Sequence, residues 1–99
     1  MNEKQFEYTP QYEKQKEALI TSGAFTSNQI TNTINLYRKN KSARNLHGHK
    51  ITCKKDKKRY SIAVLGTGQD YKILLSEDKI VTFVFVGHHK VYDRINKRC

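Results

Sequence analysis

Four histidines in two close pairs, one of them beside a tyrosine, hold most of the reactive potential of this sequence. Gly87-His88-His89-Lys90-Val91-Tyr92-Asp93-Arg94 sets two imidazoles, a phenol and two cations just beyond an apolar run, Ile80 to Val86. The ends of buried strands are rigid places from which to present reactive groups. Cleavage of RNA by internal attack needs a base at the 2′-hydroxyl, cations around the crowded phosphate and an acid for the departing oxygen. His88, His89 and Tyr92 can serve as acid or base, with Lys90 and Arg94 as phosphate contacts. The competing reading of this stretch is a polar tail that is simply solvated.

The second pair is His47-Gly48-His49. An HxH spacing on extended chain suits a metal in principle, but no carboxylate or cysteine stands close to either pair, so neither a metal nor another cofactor is expected. Directly after it comes a basic stretch that includes Lys50, Lys54, Lys55, Lys57, Lys58 and Arg59. Charge runs are often just solvated faces, yet this one ends in Tyr60, and Tyr60, Tyr71 and Tyr92 are surfaces on which unstacked bases can stack. Lys72 should face away from the apolar side of its strand. Gly66-Thr67-Gly68 lacks the following helix of a phosphate-binding loop and is read as a turn.

The whole chain agrees with a polyanionic partner. Its 99 residues carry 19 Lys and Arg against 9 Asp and Glu, for a net charge of +10 and a pI near 9.8. That length is expected to form one domain, residues 1–99. No run approaches the roughly 18 apolar residues of a membrane span, and no apolar signal segment follows Met1, which points to the cytoplasm and away from a membrane. Cys53 and Cys99 lack metal-ligand spacing and are expected to be free thiols.

These groups need elements to hold them. Gln5 to Thr9 alternates like a short edge strand that Pro10 ends, and Thr9-Pro10 opens a helix over residues 11–22 that Gly23 terminates. Thr26-Ser27-Asn28-Gln29 is a capping box, and Ile30, Ile34 and Tyr37 recur at helical spacing. From Arg38 to Arg59 the periodicity is lost and most of the segment reads as loop. Tyr60, Ile62 and Val64, then Tyr71, Ile73 and Leu75, alternate as two strands of a hairpin. Ser76 to Lys79 turns into Ile80–Val86, apolar on both faces and so a central strand, ending at Gly87. Beyond it, His88 to Cys99 has enough apolar residues to pack as one turn or two.

This order of elements resembles the RelE/ParE toxin superfamily, on its RelE-like side, over nearly the whole chain. The resemblance is carried by Phe6-Glu7-Tyr8-Thr9-Pro10, Leu46-His47-Gly48, Tyr60-Ser61-Ile62 and above all Asp78 through His88, similar to the family's last strand and the Gly-His step after it, with Val91-Tyr92 echoing its terminal tyrosine. It implies an α+β fold in which an N-terminal strand and helix hairpin pack on one face of a small antiparallel sheet, leaving the other face largely open for RNA. It also implies a toxin restrained by a cognate antitoxin, acting as a metal-independent endoribonuclease on ribosome-bound messenger RNA. ParE-like members instead poison DNA gyrase, and a non-catalytic RNA-binding module is a third reading. Matched to the RelE pattern, His47 falls at a basic position, Lys72 at a basic position of the third strand and Tyr92 at the C-terminal aromatic. His89 stands where many members carry arginine, and Ser61 and Ala63 replace lysines of the second strand. The expected site is therefore His88, His89, Tyr92, Lys72 and His47, with His49, Lys50, Lys54, Lys55, Lys57, Lys58, Arg59, Lys90 and Arg94 contacting RNA.

Overall fold

Thr9 begins the fold by doing two jobs: its hydroxyl donates to the Phe83 carbonyl (3.1 Å) and accepts from the Tyr12 amide (3.1 Å). The first bond pins the end of strand β1, Gln5–Tyr8, to a distant strand; the second caps helix α1, Pro10–Thr21, whose first position is the proline that tolerates it. These come from a computed structural model that describes residues 5–99; Met1 to Lys4, the start of the segment read as lacking a signal sequence, lie outside the described residues. Gly23, at φ +84, closes α1 in a left-handed turn with Ala24 N–H donating to the Leu19 carbonyl. The capping box then starts α2, Ser27–Lys39, with Thr26 and Gln29 bonded reciprocally.

The chain next makes a short 3-10 turn, Arg44–Leu46, that buries Leu46 completely, and a two-residue strand β2, His49–Lys50. So the segment read as mostly loop contains a strand. Strands β3, Arg59–Ala63, β4, Tyr71–Glu77, and β5, Ile80–His88, form the expected antiparallel meander. The spatial order is β1-β5-β4-β3-β2. β1 lies at the edge, as its alternation suggested, but runs parallel to β5, which makes the five-stranded sheet mixed rather than antiparallel.

One face of the sheet carries the main core: Tyr12, Ile30 and Tyr37 from the helices meet Ile62, Ile73, Leu75, Val81, Phe83 and Val86. Tyr60 and Tyr71 pack against this cluster and are half-buried, so they are core residues before they are stacking surfaces. A bulge decides what the other face receives. Leu74 pairs with Phe85 but Leu75 with Phe83, which leaves Val84 extra and inverts the alternation of β5. Beyond the bulge Val86 faces the helix hairpin, while Val84 and Phe85 turn to the opposite side and join Leu74, Tyr92 and Ile95.

That opposite side is covered in part by α3, His89–Lys97, a longer helix than the turn or two expected. The sheet's second face is accordingly only partly open. Cys53 and Cys99 are not free thiols: they form a disulfide, with Cα atoms 4.8 Å apart across 46 residues of sequence. That distance is ordinary for a disulfide. The expectation failed because nothing local in the sequence says that the chain leaving β2 meets the end of α3; the Lys54 amide, which donates to the Cys99 carbonyl (3.3 Å), marks the same junction.

Candidate active site

His49 is fixed by its neighbours on both sides. His47, in the left-handed region at φ 48, turns its carbonyl toward the His49 ring, whose Nδ1 lies 3.1 Å from that oxygen. A carbonyl only accepts, so this contact is a hydrogen bond when Nδ1 carries the proton. The opposite nitrogen, Nε2, lies 3.2 Å from the hydroxyl of Tyr92, and Tyr92 in turn donates to Ser61 Oγ at 2.7 Å. Ser61 is the direct cross-strand partner of His49 in the β2–β3 ladder and is fully buried. Gly48 is needed between the two histidines because the Tyr60 ring lies over it; a Cβ there would sit 3.0 Å from Tyr60 Cε2.

The other groups arrive from β4, the β3–β4 loop and α3. Lys72 shares the α3 face of its strand with Leu74, as its position in the alternation implied, and is nearly buried, its Nζ 3.2 Å from Gln69 Oε1 and 5.9 Å from the centre of the Tyr92 ring. Burial holds its ammonium below the usual lysine range, an effect that the Asp93 carboxylate opposes. The loop is anchored from α2: Gln29 Nε2 donates to the Leu65 carbonyl (3.0 Å), and the Thr33 hydroxyl accepts from the Leu65 amide (3.0 Å). Its far end is joined to α3 by the His89 amide, which donates to the Asp70 carbonyl at 2.8 Å.

His49, Lys72, His89 and Tyr92 thereby line one open hollow of about 430 Å³, together with Gly68, Gln69, Asp70 and Asp93. His47 lines an adjoining hollow of about 320 Å³ with Asn45 and the loop from Ala63 to Gln69. His88 does something different from His89: its Nδ1 accepts from the Lys90 amide (3.2 Å) as the N-cap of α3, and its ring packs edge-on to Tyr71. Tyr92 is buried, so its hydroxyl belongs to the floor of the hollow rather than to its mouth.

Among the expected RNA contacts, Lys50, Lys54, Lys55, Lys57, Lys58, Lys90 and Arg94 are exposed. Arg59 is engaged, its Nε 3.0 Å from Asp56 Oδ2. Burial of Asp56 alone would raise its carboxyl, but bonds from the Lys58 amide, Arg59 and Ser76 outweigh it and hold the group below the usual range. Among the described residues no group of three or more His, Cys, Asp or Glu is placed to hold a metal, and no helix is long and apolar enough to cross a membrane.

Gln69, Asp70, Asp93 and Ser61 are the members of the site that reading the sequence did not single out for a role. Gln69 had a signal of its own. It closes Gly66-Thr67-Gly68 in a left-handed conformation, φ 71, uncommon for a residue with a side chain.

No family model matches the chain, and no curated protein sequence is significantly similar to it. Solved structures are similar. A chain of the DinJ–YafQ toxin–antitoxin complex of E. coli superposes with a TM-score of 0.72 at 19% identity, over 91% of this chain and 97% of that one. YafQ from E. coli strain BL21(DE3) gives 0.71 at 17% identity, over 90% and 97%. The conserved hypothetical protein HP0894 of Helicobacter pylori gives 0.54 at 16% identity, over 87% and 94%.

Proposed function

Starting from the RelE-like fold that this chain shares with YafQ, we propose that it is the toxin of a type II toxin–antitoxin pair and acts as an endoribonuclease on messenger RNA. The observation that carries this reading is the convergence of His49, Lys72, His89 and Tyr92 from β2, β4 and α3 on one hollow. The exposed cations Lys50, Lys90 and Arg94 come from the same elements, and Lys54, Lys55, Lys57 and Lys58 from the loop that follows β2. They supply phosphate contacts of the kind that make RNA affinity fall with salt.

In the proposed reaction the 2′-oxygen attacks the neighbouring phosphorus, the bond from phosphorus to the 5′-oxygen breaks, and a cyclic phosphate is left. His89 takes the 2′ proton or returns one to the departing 5′-oxygen, with His49 as its counterpart. Lys72 stabilises the charge that develops on the phosphoryl oxygens, and its partly desolvated position strengthens that interaction. His88 caps the helix that presents His89, and His47, with Asn45, offers polar groups to the neighbouring nucleotide. Side chains fill every role, so the proposal names no metal or cofactor. The partners it names are messenger RNA on a ribosome and an antitoxin that covers the hollow, both met in the cytoplasm.

Primer extension on messages in a translating extract tests the reading. Wild-type protein should create new 5′ ends within coding sequence, and His89→Ala should reduce them by about 10²-fold or more. Messages that stay intact while supercoiled DNA is cleaved in a gyrase assay would move the function to the ParE-like class; intact messages that merely bind would leave a non-catalytic RNA-binding module.

A further inference from the structure

We infer that Ser61 and Tyr92 form a two-hydroxyl relay that positions His49 and lets its ring gain or lose a proton while both ring nitrogens and the Tyr92 hydroxyl keep a partner. Ser61 is in this account a positioning residue, acting through Tyr92. The assignment deepens the nuclease reading, in which His49 faces the phosphate, but its core rests on the hydrogen bonds alone.

Three distances define the relay: His49 Nδ1 to the His47 carbonyl, 3.1 Å; His49 Nε2 to Tyr92 Oη, 3.2 Å; Tyr92 Oη to Ser61 Oγ, 2.7 Å. When the ring is neutral, Nδ1–H is held by the carbonyl, Nε2 accepts the Tyr92 proton, and the Ser61 hydroxyl donates to Tyr92. When the ring is charged, Nε2–H donates to Tyr92 Oη and the Tyr92 hydroxyl, keeping its proton, donates a hydrogen bond to Ser61 Oγ. Apart from the proton gained on Nε2, the two states differ only by rotation of two hydroxyls, which costs little and moves no heavy atom. Register supports the design: Ser61 stands opposite His49 in the ladder, and α3 brings Tyr92 down onto both. The charged and titratable groups that share this surroundings are Lys72 from β4, Asp70 from the loop, His89 and Asp93 from α3, and His47 and Lys50 beside His49 in the chain. None of them changes when Ser61 is replaced.

Without Ser61, the buried Tyr92 proton has no acceptor whenever His49 is charged, and an unpaired buried donor is costly. Ser61→Ala should therefore make the His49 ring harder to protonate, and moving Tyr92 out of the chain should erase any influence of Ser61.

The experiment is an NMR titration of the histidine ring nitrogens in the full chain, for wild type, Ser61→Ala, Tyr92→Phe and the double variant, with cleavage measured across the same pH range. We expect the neutral wild-type ring to hold its proton on Nδ1, Tyr92→Phe to keep it there because the His47 carbonyl remains, Ser61→Ala to titrate about one pH unit lower, and the double variant to match Tyr92→Phe. The corresponding limb of the pH–cleavage profile should move with it. A Ser61→Ala ring that titrates with wild type, or a neutral wild-type ring protonated on Nε2, overturns the relay. If Ser61→Ala does not fold, Ser61→Cys, whose thiol is a weak acceptor, takes its place, and a ring that then titrates with wild type overturns the relay. A wild type that cleaves nothing at any pH defeats the nuclease reading, while the titration still judges the relay.

Discussion

Lys72 shows at the level of one side chain how the site conflicts with the fold. Its folded-state value lies below that of the unfolded chain because burial penalises the charge, with Asp93 only partly compensating. The unfolded chain therefore binds that proton more tightly. The resulting penalty on stability is present in full at neutral pH and is relieved as pH rises through the depressed folded value toward the ordinary lysine range. Lys72→Met, which keeps an unbranched stem but removes the charge, should be more resistant to urea than wild type at neutral pH, with the gain shrinking under alkaline conditions. Cleavage should fall by about 10²-fold. A variant less stable than wild type at neutral pH would show that the bond to Gln69 outweighs the desolvation.

Between the strands, Gly48 is the position on which the site's geometry turns. The Tyr60 ring that an added methyl would meet packs against Tyr37, 6.3 Å between ring centres, with the Lys41 ammonium 5.1 Å from its own centre. Gly48→Ala should push β2 from β3 at a cost of about 1–3 kcal/mol and displace His49, so cleavage should drop by more than the loss of folded protein accounts for; calorimetry beside the extract assay separates the two. Much of the element pattern was legible. The Thr26–Gln29 capping box, the Gly23 stop and the alternation of β3 and β4 follow rules of local chemistry that hold wherever they occur. What was not legible depends on pairings that no local rule sets. Ile80 to Val86 looked apolar on both faces, and only the extra residue Val84 explains why Phe85 leaves the main core for the side of α3. The nine residues of α3 are too few to declare themselves without the surface that Tyr92 packs against. In the site, the histidines were readable by type, whereas the separation of duties between His88 and His89 depends on where the helix begins, and the partnership of Ser61 with His49 on the register of a two-residue strand.

Across the whole molecule, the Cys53–Cys99 disulfide closes a long loop and ties the end of α3 to the basic segment after β2. On the chain-entropy account, a bridge of this span contributes about 4 kcal/mol by restricting the unfolded chain. Urea unfolding with and without dithiothreitol should show a loss approaching that size, matched by Cys53→Ser in the absence of reductant. Equal midpoints would mean that the junction is held by packing and the Lys54–Cys99 backbone bond alone. In the cytoplasmic location that the nuclease proposal names, thiols are usually kept reduced, and the same comparison reports how firmly α3, and with it His89 and Tyr92, is held in either redox state.

The parallel pairing of β1 with β5 also imposes a schedule. The first described strand is synthesised long before its hydrogen-bonding partner, and Thr9 can reach the Phe83 carbonyl only once the meander exists. α3, which closes the hollow, comes later still in the chain. A nascent chain thus carries His49 and Lys72 on an unfinished sheet, without the helix that completes their surroundings. On the nuclease reading, a ribosome making this protein has read past the codons for the entire site before that chain's own site exists.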